Sequence, residues 1–353
     1  MLFSVIINVR NGEKYIKEAL DSALNLNTCF DCRDSEIFEV IVVENGSSDR
    51  TGQICDSYEA RDKRVRVIHK GAIGTYSAKQ VGIRAAKGDW IIALDADDIL
   101  APDMLKVLYP WTIAADRNGC EADVIFYDTA DLDDRERILF SYPFEPKKVY
   151  RGDEKRAFYD VLCVGDSLNA MWTKCIRREM AYLGEEHLFL CFGEDLYQTV
   201  QYLDRARGII YLKETLYYYR RTGESISFTF SDFYLDSQKV VWEMVDKISG
   251  GWNNPDYVKK ITERKALTCS IVIARLIYSD LSISRKIVKY RNITTDPFYC
   301  RHYKNDLPAW APEESVHIHS LQIRDDHFIA VTKAVVIYNI KMHVKKILKA
   351  VRR

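Results

Sequence analysis

The stretch Trp90-Ile91-Ile92-Ala93-Leu94-Asp95-Ala96-Asp97-Asp98 runs from an unbroken apolar segment straight into acid. Its apolar part is long enough for a buried strand and too short for a helix. Gly88-Asp89 ahead of it signals a turn, and Pro102 marks a break shortly after it. Asp95, Asp97 and Asp98 then crowd the point where the strand should end. Carboxylates this close resist ionising together unless a cation shares their charge. A hard divalent ion, Mg²⁺ or Mn²⁺, suits them, since it takes one or two protein carboxylates and completes its shell with water and phosphate. Strand ends are also where open α/β sheets collect ligands. The same residues equally suit an acidic helix start, with Asp98 capping a helix from Ile99.

Working outward, residues 3–9, 38–43 and 65–69 read as strands, and 13–25, 51–61 and 78–86 have helical spacing. Strands alternating with helices in this way predict a parallel sheet with helices on both faces. Polar residues sit at three strand ends, 8–11, 44–49 and 95–98, and a parallel sheet lines such ends along one edge. Neither GxGxxG nor GxxxxGK[ST] occurs. Further on, the pattern predicts a helix from Pro102 to about 118, a strand over 122–127 and an irregular segment over 131–146. A helix over 151–162 and a strand-like run over 168–177 come next. Glu194-Asp195 opens another helix, and 209–220 reads as a strand with Tyr217, Tyr218 and Tyr219 in a row. After Ser231 the pattern is helical, over 233–248 and 257–278, with a less regular interval over 292–314. Residues 333–353 are basic and carry no acid. Val335, Val336, Ile340, Val344, Ile347, Leu348 and Val351 are spaced there as a helical stripe. Such a helix suits an anionic membrane surface, or docks on its own domain.

The chain has 353 residues, 47% hydrophobic and 29% charged, which is a globular composition. Lys plus Arg equals Asp plus Glu at 51 each, so charge points to no polyanionic partner. Nine cysteines form no spacing ladder, and Cys29 with Cys32 is a lone CxxC, so reduced structural thiols in a cytoplasmic protein are expected. No basic-apolar-small leader is seen, so no secretion signal is expected. No apolar run reaches the roughly 18 residues of a spanning helix.

The order Glu44-Asn45-Gly46-Ser47-Ser48-Asp49, Lys87-Gly88-Asp89-Trp90, then Asp95-Ala96-Asp97-Asp98 resembles the family 2 nucleotide-sugar glycosyltransferases of GT-A fold. The likeness continues in Trp172-Thr173-Lys174-Cys175-Ile176-Arg177-Arg178-Glu179, Gly193-Glu194-Asp195, Tyr217-Tyr218-Tyr219-Arg220 and Ser225-Ile226-Ser227, as in bacterial surface-polysaccharide members. It covers about residues 1–228. It implies an α/β catalytic domain there, with a Rossmann-like, mostly parallel sheet flanked by helices, a mainly helical C-terminal region over 229–332 and a basic tail helix over 333–353. It also implies roles. Asn8, Arg10 and Asn11 match the loop against the nucleoside, with Asn8 and Arg10 where proline and tyrosine are usual. Glu44 falls where an aspartate contacts uracil or ribose, and Lys79 stands where an arginine faces the diphosphate. Asp95 and Asp97, with Asp98 beside them, match the DXD group that holds Mn²⁺ or Mg²⁺ on the diphosphate. Asp195, with Glu194, matches the base of inverting members. Trp172, Lys174 and Arg220 are candidate donor contacts; a core tryptophan, a solvated lysine and a surface ion pair are their structural alternatives.

The activity so implied is transfer of one sugar, from a UDP-sugar first of all, to a hydroxyl of a glycan acceptor, lipid-linked and reached at the inner membrane face by the basic tail. Two other readings share the sheet. A sugar nucleotidyltransferase would need a glycine-rich basic loop that residues 3–14 lack. A non-catalytic binding subunit would have no need of Asp95, Asp97 and Asp195. His69, His187, His317 and His319 stand at no metal-site spacing.

Overall fold

The computed structural model describes residues 2–28, 37–117, 122–184, 188–222 and 230–351, and the side chains of all but 114–117 and 346–351 among these. Cys29, Cys32, His187 and Ser225-Ile226-Ser227 lie outside the described residues. The chain divides into two compact units, Met1–Gly223 and Glu224–Arg353.

Unit 1 is built on β1 (Phe3–Val9), β2 (Phe38–Asn45), β3 (Val65–Lys70) and β4 (Trp90–Asp95), joined by α1 (Ile16–Leu24), α2 (Thr51–Glu59) and α3 (Thr75–Ala85). These strands pair in parallel in the order β3-β2-β1-β4. Every residue of β2 is buried, as expected of a parallel strand covered on both faces. The sequence reading placed the start of α3 three residues late. Gly74, at φ 87°, makes the turn that lets the helix begin at Thr75.

A short β5 (Ile99–Leu100) and α4 (Met104–Arg117) lead to β6 (Val124–Asp131), β7 (Ile138–Phe140) and β8 (Val149–Arg151). Then come α5 (Arg156–Val164), β9 (Lys174–Arg177), a single turn α6 (Arg178–Ala181), α7 (Glu194–Arg205) and β10 (Gly208–Tyr219). The sheet continues β4-β9-β6-β10-β5, and β9 is antiparallel to both of its neighbours. The sheet is thus mostly parallel, as expected, with β9 entering from the other end. The segment read as irregular over 131–146 contains β7 and a buried aromatic group, with Phe144 stacked on Phe158 at 3.9 Å between ring centroids.

The start of β4 explains Lys87-Gly88-Asp89-Trp90. A Cβ on Gly88 would lie 2.5 Å from the Phe3 carbonyl carbon and 2.6 Å from the Ser4 nitrogen. Gly88 N–H donates to Ser4 Oγ (2.9 Å), Ser4 Oγ donates to Glu39 Oε1 (2.7 Å), and Lys87 N–H donates to the same carboxylate (2.6 Å). The buried Glu39 is thereby satisfied, as a buried carboxylate must be.

Unit 2 is helical: α8 (Tyr234–Ser249), α9 (Pro255–Tyr278), α10 (Ile283–Thr294), α11 (Pro297–His302), α12 (Glu313–Gln322) and α13 (His327–Val351). α11 and the last three residues of α10 lie in the interval read as less regular. Trp242 Nε1 donates to Thr268 Oγ1 (3.1 Å), and Gln322 Nε2 donates to Tyr299 Oη (2.7 Å), closing polar groups inside the bundle. The predicted single stripe on the tail is split. Val335 is buried, whereas Ile340 and Val344 are exposed, because the five positions from 335 to 340 carry a helix well past one face. Among the described residues, no helix is long and apolar enough to cross a membrane.

Candidate active site

Register places three of the polar strand ends side by side. Asn8 pairs with Asp95, Val9 with Glu44, and Glu44 with His69. Because β9 runs the other way, its first residue, Lys174, and Trp172 before it approach this same rim.

Glu44 accepts from the Ser47 amide at 2.5 Å and faces His69 Nδ1 at 3.4 Å; His69 Nε2 lies 2.8 Å from Asp56 Oδ1. Burial pushes Glu44 upward, but Ser47 and His69 outweigh it and hold its carboxyl below the usual value. Asn11, at φ 54°, accepts from the Ser48 amide through Oδ1 (2.8 Å), and its own amide donates to Ser47 Oγ (2.9 Å). Asn11 thus ties the loop after β1 to the loop after β2. Arg10 is exposed on that loop.

The acidic turn after β4 divides its labour. Asp95 is pushed up to about 6 by burial and by the Asp195 and Asp97 charges, against the pull of Lys79. Burial also raises Asp97, with Arg220 opposing. Asp98 turns inward, 1% exposed, and burial together with the Asp95 charge pushes it up to about 8. Its Oδ2 accepts from Tyr217 Oη (2.7 Å) and its Oδ1 from the Arg220 amide (2.7 Å), while Tyr217 Oη accepts from the Asp95 amide (3.1 Å). Ile99–Leu100 pair with β10 and the next helix waits until Met104, so Asp98 caps no helix.

Opposite stands α7. Gly193, at φ 80°, forms its cap and aims Glu194 and Asp195 into the first turn. Asp195 Oδ1 is 3.0 Å from Lys79 Nζ, and the Lys79 side chain is only 5% exposed. The charges of Asp195, Asp95 and Glu194 overcome burial and hold Lys79 firmly protonated. Glu194 is pushed up to about 7 by burial and by Asp195. Gln80 Nε2, next along α3, donates to Gln198 Oε1 (3.3 Å) and fastens α3 to α7. The site therefore brings together Asp95, Lys79, Glu194 and Asp195, with Asp97 on the same turn.

Three expected donor contacts are placed differently. Lys174 is fully buried, and its Nζ donates to the Asn169 carbonyl (3.2 Å), the Ala170 carbonyl (2.5 Å) and Thr199 Oγ1 (3.1 Å). Burial pushes it down to about 7, yet three acceptors take all three N–H groups of an ammonium, and the geometry favours the charged form. It locks the turn before β9 and is no solvated lysine. Trp172 is buried and stacks on Tyr217 (5.0 Å) and Tyr219 (5.4 Å). Arg220 donates through Nε to the Asp97 carbonyl (2.7 Å) and through a terminal nitrogen to Glu18 (2.7 Å), and its guanidinium covers Tyr15. It pins the acidic turn. The sequence reading missed Tyr217 as the bridge between Asp95 and Asp98. Its position one strand away from the acidic turn leaves no local signal.

Among the described residues, no three His, Cys, Asp or Glu side chains gather as a self-sufficient metal cage. The acids at the rim still fit a hard divalent ion: the donors are all oxygen, and Asp95, raised by burial, is raised further by the Asp195 and Asp97 charges.

A Rossmann-like sheet with acids at one rim and an acidic helix start facing them is a GT-A-like arrangement. Residues 4–173, a little under half of the chain, match Glycosyl transferase family 2. The chain is similar to the glycosyltransferase GlyG of Streptococcus pneumoniae, 35% identical over 37% of this chain and 41% of the relative. It is also similar to the glycosyltransferase EpsJ of Bacillus subtilis, 30% identical over 64% and 63%. The chain thus spans less than two thirds of the length of these relatives. Among solved structures, residues 1–349 of TarS of Staphylococcus aureus in complex with UDP-GlcNAc share the fold, with TM-score 0.55, 21% identity, and 96% and 89% of the two chains covered.

Proposed function

We propose that this chain is an inverting glycosyltransferase that moves one sugar from a UDP-sugar to a hydroxyl of a glycan acceptor in bacterial cell-surface polysaccharide synthesis. One observation carries the reading: Asp95 at the end of β4 and Glu194-Asp195 at the start of α7, far apart in the chain, face one buried ammonium, Lys79. A nucleotidyltransferase has no use for a carboxylate opposite the metal-binding rim, and a mere binding subunit has no use for a buried Lys–Asp pair there.

Asp95 and Asp97 would hold a divalent cation, Mn²⁺ or Mg²⁺, which supplies positive charge to the leaving diphosphate. Asp98 keeps the turn in shape from beneath. Glu44, held ionised by Ser47 and His69, offers an acceptor to the hydroxyls of a ribose or the N–H of a base. Asp195 has one oxygen on Lys79 and a side chain 28% exposed, which leaves its second oxygen for the proton of the acceptor hydroxyl. Such general-base assistance is worth about 10²–10⁴-fold. One base opposite the leaving group suffices for inversion.

The acceptor is lipid-linked in this reading. On α13, Lys333, Lys341 and Lys345 are exposed together with Ile329, Ile337, Ile340 and Val344, and the helix carries no acid. Cationic and apolar groups together favour an anionic bilayer surface. Lys341→Glu with Lys345→Glu should abolish partition to anionic liposomes; unchanged partition removes the membrane from this account.

The transferase reading is tested by a thermal-shift panel of UDP-, GDP- and CDP-sugars with Mn²⁺. A bound donor raises the melting temperature by mass action. The UDP-sugar is expected to do so, and a panel without any shift refutes the reading.

A further inference from the structure

Lys79 lies beneath the site on α3. Among the described residues its ammonium has one direct ionic partner, the proposed base, at 3.0 Å. The Asp95 and Glu194 charges act on it as well. Three acids thus look to one cation, and a point charge has no geometric preference that would reserve it for one of them. Deepening the proposed function, we infer that Lys79 serves base and leaving group in turn, its field passing from Asp195 to the diphosphate as the sugar is transferred.

Atoms and charge balance in this step. The acceptor oxygen forms a bond to the anomeric carbon, and its proton moves to the free oxygen of Asp195. The bond from the anomeric carbon to the diphosphate oxygen breaks, and that oxygen keeps the electron pair. Asp195 becomes neutral while the diphosphate gains one negative charge. Before transfer the ammonium neutralises Asp195; afterwards Asp195 no longer needs it and the diphosphate does. The cation need not move, since only the place of the negative charge changes. In a buried setting such a fixed charge is already oriented when the reaction begins. Gln80 on Gln198 and Gly193 at the cap keep α3 and α7 in register, so the Lys79–Asp195 distance is held by elements outside the pair.

A cation that only bound the diphosphate would show itself in donor affinity, equally in ground and transition states. A cation shared in this way shows itself in turnover, and its effect depends on Asp195. The experiment measures donor affinity by calorimetry and single-turnover transfer for Lys79→Met, Asp195→Asn and the double variant, with Lys79→Arg retaining the charge. Melting curves check folding. Lys79→Met should slow transfer about 10²–10³-fold with donor affinity changed less than about threefold. The double variant should be no slower than the slower single one, since neighbours in one network are not additive. Lys79→Arg should recover at least a tenth of the wild-type rate. Donor affinity falling by as much as the rate, or strictly additive losses, overturns the inference. If Lys79→Met does not fold, a Lys79→Arg variant that folds, binds donor and transfers at the background rate of Asp195→Asn overturns it as well. Absence of transfer by the unmodified chain with every donor would instead refute the transferase reading itself.

Discussion

Replacing Tyr217 by phenylalanine removes one oxygen and leaves the ring on Trp172. That oxygen joins two parts of the acidic turn: it donates to Asp98 Oδ2 and accepts from the Asp95 amide. The ring is fully buried, so no bulk water replaces it. A hydrogen bond contributes about 1.5–3 kcal/mol to the ionised Asp98 and about 0.5–1.5 kcal/mol to the neutral acid, and a buried N–H left unsatisfied costs about 1–3 kcal/mol. Relaxation of the turn offsets part of this, and a net loss of about 2–3 kcal/mol is expected. For a unit of this size that lowers the melting temperature by about 4–12 °C. The sign of its pH dependence follows from Asp98. The Tyr217 hydroxyl favours the ionised form of that carboxyl, which titrates near 8 with this hydrogen bond in place. The penalty should therefore be larger at pH 9 than at pH 6. Tyr218→Phe is the control, because Tyr218 points to the other side of the strand, under Arg135. Calorimetric melts of both variants at both pH values decide the matter. A Tyr217→Phe protein that melts with wild type, or a Tyr218→Phe protein that loses as much, refutes the bridge.

Asp195→Asn should lower transfer about 10²–10⁴-fold with UDP binding intact by calorimetry; full turnover removes Asp195 from its role. Gly88→Ala should cost about 3 kcal/mol or more, because its methyl group would meet backbone atoms that cannot yield; a soluble protein with an unchanged melting curve contradicts the close packing of β4 on β1. Asp98 holds its proton more tightly folded than unfolded, so its contribution is full below the unfolded value near 4 and lost as pH rises through about 8. Asp98→Asn should accordingly gain melting temperature relative to wild type in chelator at pH 8.5 and not at pH 4, and an equal difference at both pH values would contradict the burial of an acid there.

The first half of the sheet was legible because its strands are short apolar runs bounded by turn residues, and parallel pairing follows from the helices between them. The polar ends of β1, β2 and β4 were legible for the same reason, since one direction of travel sends them all to one edge. β9 was not: four residues carry no sense of direction, and its orientation depends on what α5 packs against. Asp195 could be singled out by its place at a helix start, but its pairing with Lys79 joins residues 116 positions apart. Lys174 shows the limit most plainly. A lysine next to a tryptophan reads as a solvated or ligand-facing cation, and only the fold reveals three oxygens gathered beneath it. The tail helix was legible as a basic amphipathic element, whereas the division of its apolar residues between interior and surface depended on what unit 2 offered it.

The reversed direction of β9 has an implication for engineering. Parallel strands can offer the rim only residues from their exits, each committed to a following helix. A strand that enters at the rim offers the loop ahead of it, residues 165–173, held by the anchors of Lys174, the stacking of Trp172, the buried Leu168 and Met171 and the Tyr142 hydroxyl on the Ser167 carbonyl. Exchange of residues 165–167 between relatives, with those anchors kept, should alter substrate choice while the sheet keeps its register.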